Sequence, residues 1–73
     1  MKPHIKVYYR PPIPTNAGYT LASYYAAYFD EKRNKFVPGD EHPTRVTALE
    51  DLYGRLEQLG YDRSDLPEPE DCH

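Results

Sequence analysis

Few residues in this chain have side chains suited to catalysis or metal binding, and their spacing decides what they could do. Soft or nitrogen metal ligands are limited to His4, His42, Cys72 and His73. Cys72 and His73 are adjacent at the end of a polar stretch and lack the paired spacing of a zinc site, so no metal site is expected. His42, in GDEHP, reads as a loop residue. A Cys72 nucleophile served by His73 or His42 would lack the preorganisation that covalent catalysis requires. The carboxylates Glu50, Asp51 and Glu57 lie on the solvent side of an expected helix, where no pocket would raise a pKa or hold a substrate. Neither a G-x-S-x-G elbow nor a phosphate-cradling glycine loop occurs. The expectation is a non-enzymatic protein with no cofactor.

What remains is aromatic. Residues 18–29, GYTLASYYAAYF, hold five rings in twelve positions. Leu21, Tyr24, Tyr25, Tyr28 and Phe29 fit one helical stripe, but the following YFDEKRNKFV has the form of two strand segments around a polar turn, which favours a strand. As a strand, Tyr25 and Phe29 should pack beneath a helix together with Tyr9, while Tyr8, Tyr24 and Tyr28 stand on the other face beside Lys6 and Arg10. Tyrosine and arginine offer large contact area with a polar tip, so this second face is a candidate binding surface.

Charge is polarised along the chain. Residues 1–38 carry six Lys or Arg against two acids, and residues 39–73 carry three against ten, for a net charge of −3. Such a layout suits an electrostatically steered contact, with Glu50, Asp51, Glu57, Asp62 and Asp65 as its acidic side. It also suits simple solvation of a helix and tail. The single cysteine excludes an internal disulfide, and a domain of this size is marginal alone, so a homodimer or a partner complex is expected. With no apolar run resembling a signal peptide or a membrane span, the protein is read as soluble and cytoplasmic.

These side chains must be positioned by few elements. HIKVYYR alternates with the period of a half-buried strand, and PPIPTNAG ends it. Thr47 and Glu50 have capping-box spacing for a helix whose apolar stripe is Leu49, Leu52, Tyr53, Leu56 and Leu59. Gly60 suits its left-handed terminus, with Tyr61 folding back on Leu56. Gly54, inside the helix, suggests close approach to a strand or second helix, and Leu66 should tuck under the sheet. The fold expected is α+β: an antiparallel sheet of two to three strands with one helix on one face, a single domain over 1–66, and a disordered acidic tail over 67–73.

In length, acidity and arrangement, with tyrosines at 24, 25 and 28 and acids at 50, 51, 57, 62 and 65, the chain resembles small inhibitor proteins of phages and mobile elements, anti-CRISPR proteins among them. Small α+β antitoxins look similar. The resemblance lies in the architecture and rests on no diagnostic motif, so it assigns no residue roles. It implies binding without turnover, with the acidic helix and the Asp62 to Asp71 segment occupying a basic nucleic-acid groove of a partner complex and the tyrosine face supplying apolar contact. Two other readings stand beside it: a single-stranded nucleic-acid binder using Lys6, Tyr8, Arg10, Tyr24 and Tyr28, and a structural homodimer built on the open face. No membrane partner is expected.

Overall fold

A computed structural model describes residues 3–72, with the side chain of Cys72 excepted. The chain forms β1 (His4–Arg10), β2 (Pro14–Thr15), β3 (Gly18–Tyr19), β4 (Ser23–Asp30), β5 (Lys35–Pro38), α1 (Arg45–Gln58), a 3-10 turn over Arg63–Asp65, and β6 (Pro69–Cys72). Four strands make one sheet in the order β5-β4-β1-β6, and β2 pairs with β3 in a separate two-stranded arm. The α+β class is as expected, but the sheet is larger and mixed, because β6 runs parallel to β1 while the other pairs are antiparallel.

That parallel strand corrects the expectation of an irregular tail. Pro69 begins the strand, where its missing N–H matters least. Ile5 pairs with Pro69 and Lys6 with Glu70, and the Arg45 guanidinium meets Asp71 at 2.7 Å. His73 lies outside the described residues.

Residues 23–30 form a strand, as the hairpin that follows them implied. The β4–β5 turn closes over residues 31–34 with Asn34 at φ 53°, a left-handed position that asparagine tolerates. α1 starts three residues earlier than its sequence signature suggested. Thr44 is the cap: its hydroxyl accepts the Thr47 backbone N–H at 3.2 Å, and the Thr47 hydroxyl donates back to the Thr44 carbonyl at 3.0 Å. Thr47 therefore occupies the third helical position, and Glu50 pairs instead with Arg63. The helix ends as expected: Gly60 takes φ 96°, and the Gly60 and Tyr61 N–H groups donate to the Glu57 and Leu56 carbonyls at 3.0 Å.

Ile5, Val7, Ala26 and Tyr28 from the sheet and Leu49, Leu52 and Leu56 from the helix form the core, with Tyr24, Tyr53, Tyr61 and Leu66 packed around it. Leu59, placed in the helical stripe by its spacing, is 63% exposed beyond the edge of the sheet. Gly54 faces open space, so close approach does not explain it. The glycine that does permit close approach is Gly39, where a Cβ would lie 3.1 Å from the Ala26 carbonyl oxygen and 3.8 Å from Leu52.

Candidate binding face

Strand register determines which rings are displayed. β1 behaves as its alternation required, turning Ile5 and Val7 into the core and Lys6 and Tyr8 away from it. β4 has the opposite phase to the one expected. Its partners across the ladder are Tyr24 for Tyr9, Ala26 for Val7 and Tyr28 for Ile5, and directly paired residues share a face. Tyr24, Ala26 and Tyr28 thus lie on the helix side, and Tyr25, Ala27 and Phe29 on the other.

Two expected site residues are therefore corrected. Tyr28 is 3% exposed, meets Tyr61 edge-on at 5.2 Å, and donates its hydroxyl to the buried Asp30 carboxylate at 3.3 Å. Burial first, then the neighbouring Asp30 and Tyr61, push its phenol above the ordinary value. Tyr24 is half-buried against the core, its ring tilted 49° to that of Tyr9 with centroids 5.1 Å apart. Tyr9, on the core side by alternation, remains 37% exposed.

The helix-free face carries Lys6 and Tyr8, as expected, and gains Tyr25, Phe29 and Phe36. Tyr8 and Tyr25 stack with centroids 4.8 Å apart and planes 18° from parallel. Phe29 and Phe36, paired across β4 and β5, sit 5.0 Å apart, with the Lys6 ammonium 5.9 Å from the Phe29 ring. Phe36 is 57% exposed. His4 and Glu70 face each other at 3.3 Å along one side, and Arg10 closes the far end through Glu41 at 2.9 Å. The signal for this arrangement was present but degenerate: in SYYAAYFD each alternation phase contains two aromatic rings around one alanine.

The acidic candidates are largely occupied within the chain. Glu50 and Glu57 both meet the Arg63 guanidinium, at 3.5 and 3.0 Å, and that guanidinium lies 4.8 Å from the centre of the Tyr53 ring. Asp62 caps the 3-10 turn by accepting the Ser64 N–H and hydroxyl, which lowers its pKa. Asp65 lines a surface cavity of about 400 Å³ with Tyr61, Lys32 and Arg33.

Asp51 is the centre of a structural network. One carboxylate oxygen accepts the Asp40 backbone N–H at 2.9 Å and faces His42 Nε2 at 3.0 Å, and the other accepts Arg55 Nε at 3.1 Å. Arg55 also bonds Asp40 at 2.6 Å. Burial opposes ionisation, but the Asp40, His42 and Arg55 contacts outweigh it and hold Asp51 at about 2. His42, read from the sequence as a loop residue, has a second role: its backbone exchanges two 2.7 Å hydrogen bonds with Tyr24, fastening the loop before α1 to the edge of β4.

Among the described residues, no three His, Cys, Asp or Glu side chains converge as metal ligands would, and no helix is long and apolar enough to cross a membrane. The Cys72 side chain and His73 lie outside that description. No family model matches this chain, and no curated protein or solved structure shows significant similarity to it.

Proposed function

We propose that this protein is a non-enzymatic protein-binding module that docks through the helix-free face of its sheet. The observation that supports this reading is the pair of ring contacts, Tyr8 on Tyr25 and Phe29 against Phe36, on a sheet face that no other element of the described fold covers. Aromatic rings held rigid by strand pairing lose little conformational freedom on binding, which favours them as anchors. In its inhibitor form, the partner is a complex with a basic nucleic-acid groove, and the acidic surface steers the encounter. Glu50, Asp51, Glu57 and Asp62 already have partners in the chain, so steering suits them better than anchoring.

The test is affinity capture from the native host with wild type, Tyr25→Ala and Phe36→Ser. Wild type should retain a specific protein that both variants release, while their thermal melts stay cooperative. Retention by both variants would reject the sheet face. A second reading is single-stranded nucleic-acid binding, favoured by the position of the Tyr8–Tyr25 stack between Lys6 and Arg10 on β1. A labelled oligonucleotide bound with affinity falling steeply in salt, and lost in Tyr25→Ala, would establish it in place of the first.

A further inference from the structure

Residues 11–14, PPIP, hold three prolines in four positions, although a single proline is enough to end β1. Proline fixes φ at about −65°, and a residue that precedes proline is driven to extended backbone, which here applies to Arg10, Pro11 and Ile13. The chain accordingly neither bends nor turns over residues 11–13. Such a run has the geometry of a polyproline II helix, with about three residues per turn, so Pro11 and Pro14 share one edge. Ile13 faces elsewhere, into a surface groove that it lines with Leu21 and Pro43. The run is fixed at this point to the rest of the loop: the Ile13 carbonyl accepts the Thr20 N–H at 2.8 Å, and the Ile13 N–H donates to the Thr20 hydroxyl at 2.9 Å. All four residues are exposed, Ile13 at 49%.

From this we infer that residues 11–14 dock into a protein domain with an aromatic-lined groove of the kind that binds proline-rich chains. The hydrogen-bonding groups of the run select that occupant. Pro11, Pro12 and Pro14 have no N–H, and the Ile13 N–H is engaged by Thr20, so the run offers no donor. A strand added beside it would find nothing to accept from, because strand pairing needs N–H and C=O groups from both sides. An anionic ligand would meet neither a donor nor a free cation, since the adjacent Arg10 guanidinium is 2.9 Å from Glu41. What the run presents is pyrrolidine rings along one edge, and the Pro11 and Pro12 carbonyls, which have no partner among the described residues. A groove of tyrosine and tryptophan rings, with phenol and indole donors between them, complements both. A segment already held extended also gives up little conformational entropy on docking. This contact leaves the helix-free sheet face open, so the inference does not depend on the function proposed above.

Titration of the isotope-labelled full chain with a panel of purified SH3, WW and EVH1 domains, each to about 500 µM and followed by NMR, tests it. At least one domain should shift the Ile13, Thr15 and Thr20 amides saturably, with an affinity that salt barely moves, because the contact contains no charge. A free proline-rich peptide should reverse the shifts by taking the groove. Pro11→Ala with Pro14→Ala should weaken binding at least about tenfold. Pro11→Ala alone, outside the β2–β3 pairing, should weaken it several-fold while the Thr20 amide of the unbound chain stays at its wild-type position, which separates a lost contact from an unfolded loop. Phe36→Ser on the sheet face should bind as wild type does. No saturable shift with any domain, shifts confined to sheet-face residues, binding undiminished in the double variant, binding lost in Phe36→Ser, or self-association in place of domain binding would each overturn the inference.

Discussion

Asp51 shows how one side chain can be committed to the fold by its donors. With its carboxyl held at about 2 against an ordinary 3.8, ionised Asp51 favours the native state, and the difference corresponds to about 2 kcal/mol. Because the folded pKa is the lower one, this stability is fully present above about pH 4 and is lost as pH falls toward 2. Asp51→Asn should lower the denaturation midpoint at pH 7 and flatten the pH dependence of stability across that window, as urea melts between pH 2 and 7 would record. A wild-type stability unchanged from pH 4 to 2 would show that the network is not formed. Ring burial separates two neighbouring tyrosines in the same way. Tyr28→Ala empties a core site and removes one hydroxyl donor from the buried Asp30 carboxylate, which keeps its Arg33 contacts, so a loss of about 3–5 kcal/mol is expected. Tyr25→Ala, on the uncovered face, should cost clearly less. Equal losses would contradict the strand phase described above.

At the scale of elements, legibility followed the uniqueness of each pattern. The helix was legible because its leucines recur at one period and Gly60 can act as its stop, and β1 because apolar Ile5 and Val7 alternate with polar His4 and Lys6. β4 was legible as a strand but not in its phase, since the doubled letters YYAAYF give each face nearly the same residues. Asp30, in phase with Tyr28, was no guide, because a carboxylate at the end of a strand ordinarily marks the water side. The helix start was displaced because Thr44 and Thr47 are both competent caps, and Thr47-x-x-Glu50 matched the stronger motif. Thr44→Ala removes the acceptor of the Thr47 N–H and should destabilise by about 0.5–2 kcal/mol in chemical denaturation. Gly54→Ala should act oppositely. Its Cβ would meet nothing within 4 Å, and the substitution lowers the entropy of the unfolded chain and raises helix propensity, for a gain of about 0.4–1 kcal/mol. A destabilised Gly54→Ala protein would mean that a neighbour approaches the helix there after all.

For the molecule as a whole, the polarity of charge along the sequence is partly undone by the fold. β6 brings the acidic end back across the basic beginning, so that Glu70 faces His4 and Asp71 meets Arg45 at the start of α1. Nothing in PEPED announces a strand, because prolines and acids are depleted in sheets. Its placement comes from the open edge of β1 and the cations beside it, a long-range circumstance that local pattern does not contain. The consequence is testable by truncation. Removing residues 67–73 deletes the parallel ladder and two ion pairs, and turns β1, which carries Ile5 and Val7, into an edge strand. Ladder hydrogen bonds contribute about 0.5–1.5 kcal/mol each, offset by the entropy of ordering the segment, so a net loss of about 1–3 kcal/mol is expected. The bared edge should also increase aggregation. Urea melts of the truncated and full chains, with light scattering at matched concentration, measure both effects. An unchanged midpoint together with unchanged scattering would show that β6 contributes nothing to the sheet and that β1 tolerates an open edge.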